Sequence, residues 1–338
     1  MEHLPSTAAD GRRAARVELR QPSLGELRFE LVATEPEPPR PGEVTIQVFA
    51  AGLNFRDVLT AMGLSAAYFQ DVPRPGLECA GVITAVGADV AAFRVGDRVA
   101  AVAEGTFASE LNVPATVVMA LPDHLDFAQA ATLPVAFLTA WYGLVHLAGL
   151  RSGERVLIHS AAGGVGTAAL AIAELRGAEV FATVGTPEKR AYLRERGVEH
   201  VMDSHSVEFG DGVLAATGGE GVDVVLNSLT GELLRRSLEL LRIRGRFIEI
   251  GTRDIMADAA LGLGPFRNSL SMHSVDLRLL VERCPEVIGG LFTELAPLFA
   301  TGSLAPLPYT PFPVSRAGLA FRRMISGRHI GKIVLTFA

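Results

Sequence analysis

The chain has 338 residues, a length that at roughly 100 to 200 residues per domain suggests two domains. Its net charge of −6 argues against nucleic acid or an anionic membrane as the main partner, and 49% hydrophobic residues argue against disorder. Two cysteines are too few for a disulfide framework or a four-cysteine zinc site. We find neither a signal peptide nor an unbroken apolar span of about 18 residues, and therefore expect a cytoplasmic protein.

The first 135 residues or so follow a β-rich pattern. Small and polar residues predict a junction peptide up to residue 15, and short apolar runs separated by Gly and Pro then continue to about Leu133. Such spacing predicts an antiparallel, barrel-like β domain, interrupted by one helix between Asn54 and Met62.

The pattern changes to alternating helix and strand in the middle of the chain. An Ala- and Leu-rich helical segment runs from Phe127 to Leu150, and strands alternate with helices from Glu154 to Gly251. Alternation of this kind predicts an α/β fold with a parallel, doubly wound sheet. Beyond Ser274 we expect a helical segment, a proline-rich stretch over 306–313 and a final apolar strand.

A glycine motif follows the apolar run RVLIHSA. Its residues AAGGVG, from Ala161 to Gly166, lie between a predicted strand and a predicted helix. Glycines there permit a tight turn and let N–H groups at the helix start approach a pyrophosphate. Because strand and helix supply the required context, the motif favours dinucleotide binding over a plain structural turn.

The end of the next predicted strand, EVFATV, distinguishes the two nicotinamide cofactors. An NAD-selective site places Asp or Glu there, whereas this chain has Gly185 and Thr186, with Lys189 one helical turn on. A cation suits the 2′-phosphate of NADPH. The alternative is that Lys189 and Arg190 only form a solvated helix face, and the missing acid favours NADPH.

Two further strands end in small polar residues. Asn227 and Ser228 follow one, and Gly251 and Thr252 follow the other. Ligands of open α/β sheets lie at the carboxyl ends of strands, so these residues are candidates for the nicotinamide half of the cofactor. The alternative for Asn227 and Ser228 is that they only cap the following helix.

Segments along nearly the whole chain resemble one family. AGLNFRDVLTAMG, HSAAGGVGTAALAIA and GRHIGKIVL are similar to the medium-chain dehydrogenase/reductase superfamily, and more closely to the enoyl reductase domains of polyketide synthases and animal-type fatty acid synthases. The resemblance implies a GroES-like β-barrel substrate domain of residues 1–136 and 274–338, and an NADPH-binding Rossmann domain of residues 137–273. It places the active site between them.

The resemblance also implies partners and chemistry. The substrate would be an enoyl thioester on an acyl carrier protein, and neighbouring synthase domains would be further partners. Alcohol dehydrogenases of the superfamily bind a catalytic zinc, but their first Cys position is Asn54 here and their His position is Leu77, beside Glu78. We therefore expect no metal.

The expected proton donors of the family are only half present. A Lys of the motif EIGKxD is replaced by Thr252, which is no useful acid near pH 7, while Asp276 matches the expected Asp. A helix N-cap is the alternative for Asp276. Ser65 stands where a Tyr would report on stereochemistry, with Tyr68 three residues later, so we predict no product configuration.

The resemblance also places Asn54 near the nicotinamide and implies further cofactor contacts. Thr139 could instead be bonded to its own helix backbone, and His205 could be an ordinary surface residue. The expected catalytic residues are Asp276, Asn54 and Thr252. The expected cofactor-binding residues are Thr139, Ala162, Gly163, Gly164, Val165, Gly166, Gly185, Thr186, Lys189, His205, Asn227, Ser228, Ile250, Gly251 and Lys332.

The resulting hypothesis is a zinc-free, NADPH-dependent enoyl reductase domain of a modular synthase. Three alternatives remain: an NADPH quinone reductase, a variant that closes a cyclopropane from a β-halo enoyl thioester, and an NADPH-binding module without turnover.

Overall fold

The computed structural model describes residues 16–20, 29–35, 37–64 and 74–337. The predicted junction peptide lies outside these residues. The described residues divide into two compact units. The first combines the segment up to Val135 with the segment from Arg278 onward, and the second is Ala136–Leu277. The predicted nucleotide domain of 137–273 is therefore shorter than the second unit by one residue at one end and four at the other.

The helices and strands of the described chain are numbered in chain order. Before Val135 they are β1 Arg16–Arg20, β2 Glu30–Thr34, β3 Glu43–Leu53, α1 Phe55–Ala61, β4 Glu78–Val86, β5 Arg98–Val102, β6 Glu110–Pro114, β7 Val118–Ala120 and α2 Phe127–Ala130. From Pro134 to Ser274 they are α3 Pro134–Trp141, β8 Arg155–Ile158, α4 Gly164–Leu175, β9 Glu179–Val184, α5 Pro187–Glu195, β10 His200–Asp203, α6 Phe209–Ala216, β11 Val222–Asn227, α7 Glu232–Glu239, β12 Leu241–Glu249, α8 Arg253–Met256 and β13 Ser271–Ser274. The last are α9 Leu277–Arg283, α10 Pro285–Ala300, β14 Tyr309–Pro313, α11 Ala317–Ile325 and β15 Lys332–Thr336.

The first unit is built on a mostly antiparallel sheet with the order β14-β15-β3-β4-β5-β7, and β6 also pairs with β3. Strand β3 lies at its centre and its apolar side chains, such as Val44 and Ile46, are fully buried. Strand β15 runs antiparallel to β3, with Leu335 opposite Ala51. Strands that precede the second unit in the chain and strands that follow it thus share one sheet.

The second unit contains a six-stranded parallel sheet with the order β10-β9-β8-β11-β12-β13. This is the order of dinucleotide-binding sheets, in which the direction of strand addition reverses beside the first strand. Strand β11 is buried along its whole length, as expected for a strand covered on both faces. The carboxyl ends of β8 and β11 therefore mark the expected ligand position.

Helices α2 and α3 and the π-helical turn Tyr142–Leu147 lie in one long apolar stretch, Phe127–Leu147. By length and hydropathy alone this stretch could cross a membrane. Its most apolar window is 78% buried by the protein itself, which is typical of a core helix.

Candidate nucleotide and catalytic site

The glycine motif forms a tight turn between β8 and α4. Ser160 adopts a left-handed conformation with φ of 52°, and the N–H of Gly163 donates to the Ser160 carbonyl oxygen at 2.8 Å. A Cβ on Gly166 would lie 2.4 Å from that same oxygen and 2.6 Å from the Cα of Ala161. Gly166 is therefore required for the close approach of helix and turn.

The start of α4 is open to an anion. Its N-cap is Gly163, so no side chain caps the helix. The first N–H groups of any helix, here those of Gly164, Val165 and Gly166, lack intrahelical acceptors and carry the positive end of the helix dipole. Ala162, just before them, is fully buried. This geometry fits a pyrophosphate.

The end of β9 brings four predicted cofactor residues together. The ring of His205 lies against Gly185, where a Cβ would be 2.4 Å from the His205 Cε1 atom. The hydroxyl of Thr186 caps α5 by accepting from the N–H of Lys189 at 3.3 Å. No acidic side chain ends β9 itself, whose last residue is Val184.

One acid, Asp203, does end the neighbouring strand β10. The N–H of His205 and then the guanidinium of Arg190 hold the pKa of Asp203 below its usual range. Arg190 donates to one carboxylate oxygen at 2.9 Å, and the His205 Nδ1 lies 3.2 Å from the other. Arg190 is therefore an ion-pair partner and more than a solvated helix face.

The ends of β11 and β12 are joined by side-chain bonds. Asn227 is fully buried, and its Nδ2 donates to the Leu229 carbonyl at 2.8 Å and to Glu249 Oε2 at 2.6 Å. Its Oδ1 accepts from the N–H of Leu229 at 3.2 Å. Both amide hydrogens of Asn227 are thus used within the unit, which leaves no side-chain donor for a cofactor.

The neighbours of Asn227 are more accessible. The Ser228 hydroxyl lies 2.9 Å from that of Ser160, which links the carboxyl ends of β11 and β8. The N–H of Ile250 donates to the Asn227 carbonyl at 2.9 Å, and Gly251 follows it. Ser228, Ile250 and Gly251 are all half-buried at the carboxyl edge of the sheet.

Glu249 is a residue that the sequence reasoning missed. It is 3% exposed, and its Oε1 accepts from the Gly251 N–H at 2.5 Å. Burial raises the pKa of Glu249 to about 7, despite the two N–H donors, and nearby Asp254 adds to this effect. An acid at the end of an apolar strand, as in FIEIG, is the signal that could have identified it.

We expect replacement of Glu249 by Gln to destabilise the second unit by about 1 to 3 kcal/mol, because a Gln amide nitrogen would face an N–H donor. The raised pKa means that the folded state binds an additional proton between about pH 4.5 and 7. The contribution of Glu249 to the free energy of unfolding of the wild type therefore falls as pH rises through that window. Urea unfolding followed by the fluorescence of Trp141, the single tryptophan, measures both effects. A variant with the wild-type pH slope would contradict this assignment.

The other expected site residues of the second unit lie on separate elements. Thr139 in α3 is 7% exposed, and its contact with the cofactor stays a prediction. Thr252 is exposed directly before α8. Asp276 is half-buried directly before α9, and its role stays a prediction as well.

Asn54 and Lys332 belong to the first unit and contact one another. The Lys332 Nζ donates to the Asn54 Oδ1 at 2.7 Å and to Glu78 Oε1 at 2.5 Å. Glu78 is fully buried. Glu78 stands beside Leu77, the position of the zinc-binding His in the alcohol dehydrogenases. In this chain Glu78 forms an ion pair with the ammonium of Lys332. Among the described residues, no cluster of three His, Cys, Asp or Glu side chains could hold a metal ion.

In the LNFRD motif, Arg56 donates to Glu104 at 2.9 Å. The neighbouring Asp57 accepts from the N–H groups of Asn54 at 2.8 Å and Gly76 at 3.0 Å. Burial raises its pKa to about 6. The two backbone donors and the nearby charges of Arg56 and Lys332 oppose this effect of burial. Ser65 and Tyr68 lie outside the described residues.

Comparison with known proteins identifies the family. Residues 40–123 match the family "Alcohol dehydrogenase GroES-like domain", and residues 196–335 match "Zinc-binding dehydrogenase". The solved CurK enoyl reductase is 40% identical, with a TM-score of 0.88 over 96% of this chain and all of that one. The chain belongs to the medium-chain dehydrogenase/reductase superfamily, among the enoyl reductases of polyketide synthases.

Other members of the superfamily agree with this placement. The CurF ER cyclopropanase is 37% identical, with a TM-score of 0.87 over 96% of this chain and all of that one. "Phthioceranic/hydroxyphthioceranic acid synthase" of Mycobacterium tuberculosis is 46% identical over 95% of this chain, and "Mycocerosic acid synthase-like polyketide synthase" of Mycolicibacterium smegmatis is 43% identical over 99%. The chain spans 15% and 16% of the length of these two relatives.

The predicted fold class is confirmed. The first unit is the GroES-like part of this enoyl reductase fold, and the second is its Rossmann-type parallel sheet. Members of the family generally bind a nicotinamide cofactor, and the curated relatives are parts of large multidomain synthases.

Proposed function

We propose that this chain is an NADPH-dependent enoyl reductase domain that reduces the α,β double bond of an enoyl thioester carried on an acyl carrier protein. The observation that carries the proposal is the uncapped start of α4 beside a turn in which Gly166 has no room for a Cβ. Similarity to CurK supports the reaction class, and similarity to multidomain synthases supports the carrier protein and neighbouring domains as partners. A cytoplasmic location is part of the same proposal.

NADPH is proposed over NADH from the surroundings of β9. Thr186, Lys189 and His205 supply hydrogen-bond donors and cationic or polar groups to a 2′-phosphate. Asp203, the acid that ends β10, is already bonded by Arg190 and His205. An acid of that kind is not available to a ribose hydroxyl in the way an NAD-selective site requires.

The proposed chemistry divides between cofactor and protein. When bound, NADPH supplies a hydride to the β-carbon of the enoyl thioester. The protein has to orient both ligands, stabilise the enolate oxygen and deliver a proton to the α-carbon. Thr252 can donate a hydrogen bond but does not release a proton near pH 7. A water molecule is therefore the proposed source of the proton, and Asp276 is the side chain proposed to orient it.

A second function is favoured by one specific observation. Thr252 replaces the Lys of the enoyl reductase motif, and one of the similar structures is a cyclopropanase. In that variant reaction the carbanion formed by hydride addition displaces a halide within the acyl chain instead of taking a proton. Quinone reduction is a further alternative, since a quinone oxidoreductase of Pseudomonas syringae is 30% identical with a TM-score of 0.83 over 95% of this chain and all of that one.

The decisive experiment is product analysis with deuterated NADPH and three classes of acceptor. With a crotonyl pantetheine thioester we expect oxidation of NADPH and one deuterium at the β-carbon of the saturated product. A halogenated enoyl thioester that yields a cyclopropane and free halide would support the second function. Faster turnover with a quinone than with any thioester would reject the proposal, and NADPH binding without turnover of any acceptor would indicate a non-catalytic module.

A further inference from the structure

Lysine is used at only two positions in this chain, and one of them is buried. Of the 31 cationic residues, Lys189 and Lys332 are the lysines and the rest are arginines. Lys332 begins β15 and is 4% exposed. Long cationic side chains normally keep the charged group in water. A buried ammonium in a chain that otherwise uses arginine indicates a small site that a planar guanidinium does not fit.

All three hydrogens of the Lys332 ammonium have acceptors. They point to the Leu53 carbonyl at 3.1 Å, the Asn54 Oδ1 at 2.7 Å and Glu78 Oε1 at 2.5 Å. A lysine ammonium has three donors and no acceptor, so its hydrogen-bonding capacity is exhausted within the first unit. No donor of Lys332 remains for a cofactor phosphate or amide, which argues against direct cofactor binding.

The same contacts determine what Asn54 can do. Its Nδ2 donates to Glu78 Oε1 at 2.9 Å and to the Gly52 carbonyl at 3.3 Å, so both amide hydrogens are used. Because an ammonium only donates, the Asn54 atom that faces Lys332 is the oxygen. Both side-chain N–H groups of Asn54 are therefore engaged, and none is left for an enolate oxygen.

The cluster is closed by backbone groups. The second carboxylate oxygen of Glu78 accepts from the Val135 N–H at 2.8 Å. Strands β3, β4 and β15 thus meet at one buried carboxylate. Lys332 also binds the turn between β3 and α1, through the Leu53 carbonyl and the Asn54 side chain.

We propose that Lys332 is a positioning residue of the reductase reaction, which fixes the amide orientation of Asn54 and the β3–α1 turn without touching the cofactor. This inference rests on the proposed function and on the expectation, from the family resemblance, that Asn54 lies near the nicotinamide. Glu78 is the partner that keeps the ammonium in place.

The test compares a double variant with a contrasting single variant. Lys332→Met alone leaves the buried Glu78 without its counter-ion and is expected to fold poorly. The double variant Lys332→Met/Glu78→Gln removes both charges and is expected to melt near the wild type. We expect its NADPH dissociation constant to stay within about twofold, while kcat falls by about tenfold or more. Lys189→Met, by contrast, should raise KM for NADPH about tenfold with little change in kcat.

Two kinetic outcomes would overturn the inference. If the double variant binds NADPH about tenfold more weakly and keeps its kcat, Lys332 is a cofactor ligand. If both quantities are unchanged, its role is structural only.

A spectroscopic measurement separates this inference from the proposed function. The chain has four asparagines, so selective ¹⁵N-asparagine labelling yields four side-chain amide pairs. The pair missing from Asn54→Ser is that of Asn54, and we expect it to exchange slowly with water in the wild type and rapidly in the double variant. Unchanged exchange would reject the positioning role. If the wild type reduces no acceptor, the proposed function fails, while the exchange measurement still decides whether Lys332 holds Asn54.

Discussion

Alanine at position 166 is expected to abolish NADPH binding and to destabilise the second unit by about 3 kcal/mol, a cost typical of overpacking. The added Cβ would lie 2.4 Å from the Ser160 oxygen and 2.6 Å from the Ala161 Cα. Both are backbone atoms, so no side chain can rotate away, and the start of α4 has to move. A shift of the first N–H groups of α4 removes the donors that the pyrophosphate requires. Fluorescence titration with NADPH and urea unfolding followed at Trp141 measure the two losses.

Gly163→Ala is the matched control for this prediction. Its Cβ would meet only the Ser160 oxygen, at 3.3 Å, and its φ of −83° suits any residue. We expect it to lower the free energy of unfolding by less than about 1 kcal/mol. Equal effects of the two substitutions would show that the close approach at Gly166 is not what the motif requires.

The nucleotide site was predicted only in part from the glycine motif. The strand, the glycines and the helix were predicted because each has a local signal. The sequence did not predict which residue of the turn is left-handed. That residue is Ser160, and none of the glycines of the motif has a positive φ. Glycine permits such a conformation but does not mark where it occurs.

Elements with weak local signals were missed. Strand β14 contains Pro311 and Pro313, which on their own argue against a strand. These prolines are tolerated because, within the described part of the chain, β14 lies at a sheet edge and pairs with β15 alone. Strand β13 has four residues and helix α6 contains two glycines, so neither has a clear period. Helix α11, which follows β14 after the 3-10 turn Val314–Arg316, was missed as well.

The contacts of Lys332 with Asn54 and Glu78 could not be predicted from the sequence, for a different reason. Lys332 and Glu78 are 254 residues apart, and nothing local to either residue indicates the other. Similarity to the family placed Lys332 near the cofactor, whereas its hydrogen bonds go to its own unit. The pairing of β3 with β15 on one side and with β4 on the other brings the two side chains together.

The other large effect is expected at His159, the residue that follows β8. It is 2% exposed, its Nδ1 lies 2.8 Å from the Thr183 hydroxyl and its Nε2 lies 2.8 Å from the Ser237 hydroxyl. Ser237 already donates its proton to the Leu233 carbonyl at 2.7 Å, so Nε2 carries the ring hydrogen and Nδ1 accepts from Thr183. Replacing His159 by Phe leaves the buried Thr183 hydroxyl without an acceptor, and we expect a loss of about 3 kcal/mol at pH 7.

The double variant His159→Phe/Thr183→Val tests whether hydrogen bonding causes that loss. It removes the unpaired hydroxyl together with the ring nitrogen, and replacing both partners by apolar groups is nearly neutral when the shape is kept. Stability close to the wild type is therefore expected for the double variant, again from urea unfolding followed at Trp141. A double variant as unstable as the single one would assign the loss to packing against Phe209, which meets the ring edge-on at 5.1 Å.

The pH dependence of the stability that His159 contributes is an independent test. Burial lowers the pKa of His159 to about 3 from an ordinary value near 6.5, so between these limits the unfolded state binds more protons. The stability that His159 contributes is complete above about pH 6.5 and is lost as pH falls. At pH 5 the advantage of the wild type over His159→Phe should be smaller than at pH 7 by about 2 kcal/mol. Glu249 has the opposite slope in the same window, so the difference between the two proteins, in which its contribution cancels, is the quantity to measure.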